Sequence, residues 1–495
     1  MAPLQQGSPL DLAFVGCSLV IIYFVGVAFY NVFLHPLRSF PGPLLWRTSQ
    51  FPKSINLAQG KLVFRVRDLH AKYGPIVRIA PNELAFSDPQ AWKDIYGHRH
   101  NGAPELPKYD GLYRIIDNVP RGIINTPRDE HSMLRRQLAH GFSERSMQAQ
   151  EPIIGSYVDL LIRRLQEQCN AGLTALNMRE WLNWTTFDVI GDLGFGSSFG
   201  CLEKSDYHPW VKILTHSVKQ SASLTALAQA GFRPLVRLAL RFGKMAIKDN
   251  QDLVRQKVSQ RIELGVERPD FVEGLVKKKK EGELSFEQIA ANSTTLIVAG
   301  SETTATLLSG AVYLLTTHPD KLEKLTKEVR SRFNNDDEIT LTSVGNLSYM
   351  LACLNETLRR YPPVPTGLPR QVPHGGAYIS GKFIPEGTVV AVWQYAINHD
   401  EHFWTEPYSF APERFMGDAK FKTDQLDAMQ PFSVGPRNCI GRNLAYAEMR
   451  LIMAKIIYNF DMTIDNSSRG WMETQQAFNL WHKPGLNVHM KPVAK

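Results

Sequence analysis

Cys439 is the residue of this chain best suited by its surroundings to do chemistry. It lies in Phe432-Ser-Val-Gly-Pro-Arg-Asn-Cys-Ile-Gly441. A thiolate in such a loop can hold a haem iron, and an electron-rich sulfur ligand favours O–O bond cleavage. The neighbours suit that role. Gly435 and Gly441 permit a tight loop with unusual backbone angles, and Arg437 offers a fixed cation for a haem carboxylate. The run from Arg442 to Phe460 reads as a helix, with Leu444, Met449, Leu451, Ile452 and Ile456 apolar. Its N-terminal dipole would favour the thiolate. A lone cysteine is more often a small buried core residue. The two glycines and the arginine at these offsets tip the reading towards iron ligation.

Other segments carry chemistry that would have to face this loop. Ser285-Phe-Glu-Gln288 has the form of a capping box, and no proline follows until Pro319. The spacing predicts a helix of about 32 residues, roughly 48 Å long. Ala299-Gly-Ser-Glu-Thr-Thr304 falls in its middle. Gly300 lets another group approach the backbone. Glu302 and Thr303 put a carboxylate and a hydroxyl among Leu296, Ile297, Val298 and Leu307, where polar groups are costly unless used. A threonine bonded to its own helix and a glutamate in a salt bridge would also satisfy them. Glu356-Thr-Leu-Arg359 places opposite charges at i, i+3, a pattern that alone usually marks a surface ion pair. Arg360-Tyr-Pro-Pro-Val-Pro365 and Pro412-Glu-Arg-Phe415 follow it. In Glu130-His-Ser-Met-Leu-Arg-Arg136, His131 and Arg135 would share one helix face. Arg136 reads as a solvated charge.

In this order the motifs resemble those of the cytochrome P450 family, over essentially the whole chain. His35-Pro-Leu-Arg-Ser-Phe-Pro-Gly-Pro43, and Arg135-Arg136 before Gly141-Phe142-Ser143, are similar to membrane-bound fungal members of secondary metabolism. The resemblance implies a single mainly α domain with a small β region, with haem b between the long helix and the cysteine loop. Cys439 would be the axial thiolate ligand, with Phe432 and Gly300 beside the haem. Thr303 would hydrogen-bond iron-bound dioxygen, Glu302 would relay protons from solvent, and Gly300 would leave room for O2. Glu356, Arg359 and Arg414 would form a buried charge network behind the cysteine loop. Arg135, His131 and Arg370 would hold haem propionates. The family usually has Trp where His131 stands, and histidine can donate the same hydrogen bond. The activity implied is monooxygenation, with one oxygen atom of O2 entering a lipophilic small molecule. Hydroxylation of a terpenoid or polyketide skeleton is the expected outcome. A haem-thiolate desaturase or isomerase and a non-enzymatic haem-binding protein are the rival readings. Electrons would come from a separate NADPH–cytochrome P450 reductase, with cytochrome b5 as an accessory donor, docking on a basic face formed by Lys420, Lys422, Arg437 and Arg442.

The remaining sequence must position these groups. Leu12–Leu34 is an uncharged run of 23 residues, long enough to cross a bilayer as a helix. Asp11 precedes it, whereas Arg38, Arg47 and Lys53 follow, which predicts a single-pass endoplasmic reticulum anchor with the body in the cytosol. The division expected is residues 1–34 as anchor, 35–43 as a proline-rich linker and 44–495 as the catalytic domain. Ile76–Ile79, Glu83–Phe86, Ala377–Ser380 and Thr388–Ala391 read as short strands, and about 145–360 as helical. Lys277–Lys280 reads as a solvated loop. Hydrophobic content of 43% allows a sizeable core. A net charge of +8 without a nucleic-acid motif points to a membrane or an acidic protein, not to nucleic acid. Five dispersed cysteines argue against a disulfide framework. Substrate contacts are expected from Pro107–Pro127, Val298–Thr303, Pro365–Leu368 and Ala477–Leu480.

Overall fold

The computed structural model describes residues 9–99, 104–114, 120–242 and 244–494. The chain is mainly helical, with small sheets. After the N-terminal helix α1 (Pro9–Phe29), five helices bear on the site: α2 (Arg128–Ala139), α3 (Met178–Phe195), α4 (Phe286–Thr317), α5 (Ser348–Arg360) and α6 (Arg442–Asn459). α4 is the axis of the molecule. It starts at the expected capping box: Ser285 Oγ accepts from Gln288 N at 3.2 Å, and Gln288 Oε1 accepts from Ser285 N at 3.0 Å. It then runs 32 residues before Pro319. α3 packs along it and is buried on nearly all sides from Trp181 to Phe195, as a helix enclosed by others must be. α6, α5 and α4 complete the main apolar core. A second cluster lies under the four-stranded sheet and includes Phe86, Trp92, Ile95, Val392 and Trp404.

That sheet has the order Ile76–Ala80, Glu83–Phe86, Val389–Val392, Arg370–Gln371, with Glu83 opposite Val389 and Phe86 opposite Val392 in its one parallel pair. The other sheets are a three-stranded one (Ala175–Asn177, Asn487–Pro492, Phe460–Ile464) and two short hairpins. The expected strands and helices therefore form, with two corrections. Lys277–Lys280 is not a loop but the last turn of a helix, Glu273–Lys280, where cations meet the negative end of the dipole. Phe460 leaves α6 and opens a strand.

The apolar run near the N-terminus is helical and is not covered by the rest of the chain over its most hydrophobic stretch, which is compatible with a membrane anchor. The segment after it is clamped to the body. Arg78, fully buried, donates to the carbonyls of Asn31 (2.8 Å) and Pro81 (2.7 and 3.0 Å). Its own backbone N–H donates to Pro41 O at 2.7 Å. A Cβ on Gly42 would stand 2.3 Å from Arg78 O, so only glycine lets the linker lie this close to the sheet.

Candidate active site

The cysteine loop is closed on itself and pressed against the sheet region. Cys439 N donates to Phe432 O at 2.8 Å. Gly435 has φ +76°, and a Cβ there would sit 2.0 Å from Tyr96 O. Gly435 is therefore required on both counts. Gly441 is not: its φ is −87°, and an added Cβ would meet only Phe142, at 3.7 Å. The unusual backbone expected there is found instead at Ser433, with φ 57°.

Cys439 opens into a cavity of about 330 Å³. The loop side contributes Phe432, Ile440, Leu444 and Ala445, and the opposite wall is α4, through Leu296, Ala299, Gly300, Thr303, Thr304 and Leu307. Burial raises the pKa of the Cys439 thiol, and the Gly441 N–H, Arg135 and Arg442 offset part of that rise. A bound metal ion would complete the deprotonation.

Cations gather at one edge. Arg437 lines the cavity, is held by Glu105 at 2.7 and 2.8 Å, and donates to Thr126 O at 2.9 Å. Burial would raise the Glu105 carboxyl, but Arg437 and then Arg370 outweigh it and keep it below the ordinary value. Arg370 is buried and donates to Leu106 O at 2.7 Å, and its Nε has no partner among the described residues. Arg135 is turned to Asn438, donating to its O at 2.7 Å and its Oδ1 at 2.6 Å. His131, one turn earlier on α2, is buried, and its pKa falls to about 4 through burial and then Arg437 and Arg135. It is a neutral imidazole with one N–H to give. Lys108 is an unforeseen member of this group. It lines the cavity, and burial followed by Arg370 and Arg437 brings its pKa to about 7. An apolar slot, a sulfur on one side, clustered cations at one edge and an orphaned guanidinium nitrogen suit a planar apolar ring with two carboxylates.

Glu302 and Thr303 part company in space. Thr303 lines the cavity, with its hydroxyl donating to Ala299 O at 2.6 Å. Glu302 is outside the cavity wall: Lys483 pairs with its Oε1 and donates to Thr306 Oγ1 at 2.5 Å. Gly300 lines the cavity, but its missing side chain leaves room for Ile190 of α3, which a Cβ would approach to 3.0 Å. Glu356 accepts two bonds from Arg359, both 2.8 Å, and lies 3.1 Å from Arg414. Of the expected substrate contacts, Lys108, Tyr113, Ile124, Ala299, Thr303, Thr366 and Leu368 line the cavity. Ala477–Leu480 does not: Phe478 is buried against Gly60 instead. On the expected docking face Lys420, Lys422 and Arg442 are exposed, whereas Arg437 is buried beside Glu105.

A helix bearing an alcohol across an apolar slot from a cysteine, with cations at the rim, is the layout of a haem-thiolate oxygenase. A sequence model of the family described as Cytochrome P450 matches residues 36–490. The chain is 50% identical over 486 residues to the cytochrome P450 monooxygenase tpeC of Talaromyces stipitatus, covering 97% of this chain and 95% of that protein. It is 44% identical over 482 residues to a trichothecene C-15 hydroxylase of Fusarium sporotrichioides (95% and 96% covered). It is 41% identical over 494 residues to an averantin hydroxylase of Dothistroma septosporum (99% and 93%). The chain belongs to the cytochrome P450 family and is a haem-thiolate monooxygenase.

Proposed function

We propose that this chain is a membrane-anchored hydroxylase of a lipophilic small molecule, of terpenoid or polyketide type, in a fungal secondary-metabolite pathway. The observation that carries the reading is the Cys439 thiol opening into an apolar cavity opposite Thr303. Relatives named for hydroxylating a trichothecene and averantin support the substrate class.

Cys439 would hold the iron of haem b, and Arg437, Arg370, Arg135 and His131 would receive its propionates. The bound haem would supply reduction of O2 and transfer of one oxygen atom to a C–H bond. The chain's own residues do the rest. Leu296, Ala299, Leu307 and Leu368 exclude water and orient an apolar substrate. Thr303 places a hydroxyl in the wall, bonded back to Ala299 and with lone pairs free to accept. Glu302 would exchange protons only after its ion pair with Lys483 opens. Glu356, Arg359 and Arg414 would brace the cysteine loop. Residues 1–34 would anchor the chain in the endoplasmic reticulum membrane, residues 35–43 would link it to the body, and residues 44–495 would form the cytosolic catalytic domain. NADPH–cytochrome P450 reductase, with cytochrome b5 as accessory, would deliver electrons to the exposed Lys420, Lys422 and Arg442.

The test is the difference spectrum of the dithionite-reduced, CO-bound protein. The red-shifted Soret band of thiolate ligation is expected, and Cys439→Ala should abolish it. A histidine-ligated spectrum, or well-folded protein without haem, would sink the proposal. NADPH consumption that depends on both substrate and reductase then separates a monooxygenase from the isomerase and binding-protein readings.

A further inference from the structure

A second cavity, of about 220 Å³, shares no lining residue with the one at Cys439. It lies where the C-terminal end of α3 meets the helices Pro209–Leu227 and Lys244–Glu263. Its wall is aromatic. The Phe199 ring centre is 5.2 Å from that of Trp210 and 5.5 Å from that of His208, and Phe195 stands 5.9 Å from Trp210. Asp188 of α3 holds this wall in place by accepting from the backbone N–H groups of Phe199 (3.0 Å), Cys201 (3.1 Å) and Leu202 (2.8 Å). Gln256 and Gln260, both exposed, stand on the solvent side. Trp210 is 2% exposed, yet its indole N–H has no partner among the described residues. A buried donor left unpaired is costly, and its persistence calls for a use. Lys257 supplies a cation beside it. Its Nζ donates to Ser197 Oγ at 2.9 Å and Ser198 O at 3.1 Å, which leaves one of its three N–H groups. The acids that act on Lys257 are already engaged, Asp188 with the backbone and Asp192 with Arg268 and Tyr157. His208 Nδ1 accepts from Trp210 N at 3.3 Å, so the neutral ring carries its proton on Nε2. Among the described residues no carboxylate lines the cavity.

We propose that this cavity is a second ligand site, built for a planar aromatic carboxylate. The ring body packs against Phe195, Phe199 and Trp210, where offset and edge-on contacts between rings are favourable. The carboxylate accepts from the Trp210 N–H and the Lys257 ammonium, a charge-assisted pairing that a neutral ligand does not match. An apolar cavity of roughly 150 Å³ accommodates benzene, so this one has room for a two-ring body. A ligand here does not reach Cys439. α3 joins the two cavities, with Ile190 in the wall of the first and Phe195 in the wall of the second.

The experiment titrates 2-naphthoate into the full-length holoenzyme whose reaction cavity is already filled by a saturating azole, with occupancy checked by the Soret shift. Calorimetry should show saturable, one-to-one binding. The uncharged isostere 2-naphthamide should bind roughly tenfold or more weakly, and so should 2-naphthoate to Lys257→Met, since a hydrogen bond to a charged group is lost in each. Lys280→Met removes the same charge outside this cavity and should leave the titration unchanged. Leu253→Trp, which fills the cavity, should abolish it. In enzyme carrying isotope-labelled tryptophan, the indole N–H resonance missing from Trp210→Phe should shift as naphthoate is added. Absence of saturable binding to the azole-filled enzyme overturns the proposal. Equal affinity for the two probes, equal affinity in wild type and Lys257→Met, or a Trp210 resonance that does not move overturns it as well. Where Lys257→Met or Trp210→Phe does not fold, the comparison of the two probes on wild type and the loss of binding in Leu253→Trp decide.

Discussion

Glu356→Gln should be among the most damaging single-atom exchanges in the chain. The Glu356, Arg359 and Arg414 side chains are all fully buried. Glu356 accepts the two Arg359 bonds and a third from Ala411 N at 3.0 Å. Arg414 Nε lies 3.1 Å away but outside hydrogen-bond alignment, so its contact is Coulombic. Arg359 spends its other donors on the carbonyls of Asn398, Pro407 and Ser409, and Arg414 pairs with Asp424. Two cations thus face two carboxylates. The glutamine variant leaves one positive charge in excess where no water reaches. Removing one partner of a buried pair costs about 3–5 kcal/mol, a large part of the 5–15 kcal/mol that typically separates folded from unfolded states. Urea unfolding followed by circular dichroism, with haem content measured in parallel, reads this cost. Glu167→Gln, which breaks an exposed pair with Arg164, is the control and should cost under about 1 kcal/mol. If Glu356→Gln is no worse than that control, the claim that buried charge pairing braces the cysteine loop is wrong.

Gly435→Ala forces an L-residue to φ +76° and drives its Cβ into Tyr96 O; strain of about 1–2 kcal/mol from the backbone alone, plus the collision, should lower thermal stability and weaken the thiolate CO band. Lys483→Met leaves Glu302 buried without its cation and should destabilise by about 3–5 kcal/mol; adding Glu302→Gln should restore most of that, and a double variant as unstable as the single one would contradict the pairing. Stability should also depend on Glu448 through pH. Its folded carboxyl titrates near 8 against an ordinary 4.5, so between these values the folded state keeps a proton that the unfolded chain has lost. Wild-type stability therefore falls as pH rises through that window. Glu448→Gln should gain on wild type by up to about 1.4 kcal/mol per pH unit there, read from urea midpoints at a series of pH values.

What the sequence shows and what it hides divide along a physical line. The Ser285 capping box, the length of α4 and the Glu356–Arg359 pair are local, because bonds three or four residues apart are written in adjacent letters. The glycine at 435 is legible as a need for a turn, but the carbonyl that makes it obligatory comes from Tyr96. Contacts made across the fold leave no such trace. Glu105 meets Arg437 across 332 positions, and Lys483 meets Glu302 across 181. Neither Pro104-Glu-Leu-Pro107 nor His482-Lys-Pro484 carries a motif that would reveal the pairing.

Glu302 and Glu448 show how this limit bears on mechanism. In the sequence they look alike, each an acid set into an apolar helical stretch, and by that pattern alone either could serve the cavity. Neighbouring residues favour Glu302, since it stands next to Thr303. The wall of α4 nevertheless runs through Ala299, Gly300, Thr303 and Thr304, and Glu302 is turned out of it. There a lysine from the C-terminal segment, Lys483, pairs with one of its oxygens, Oε1. Glu448, far from any threonine in sequence, is carried by α6 into the wall itself, and among the described residues its Oε1 has no partner. Tertiary packing gives Glu302 a cation on its Oε1 and leaves the Glu448 carboxyl in an apolar wall, where burial raises its pKa.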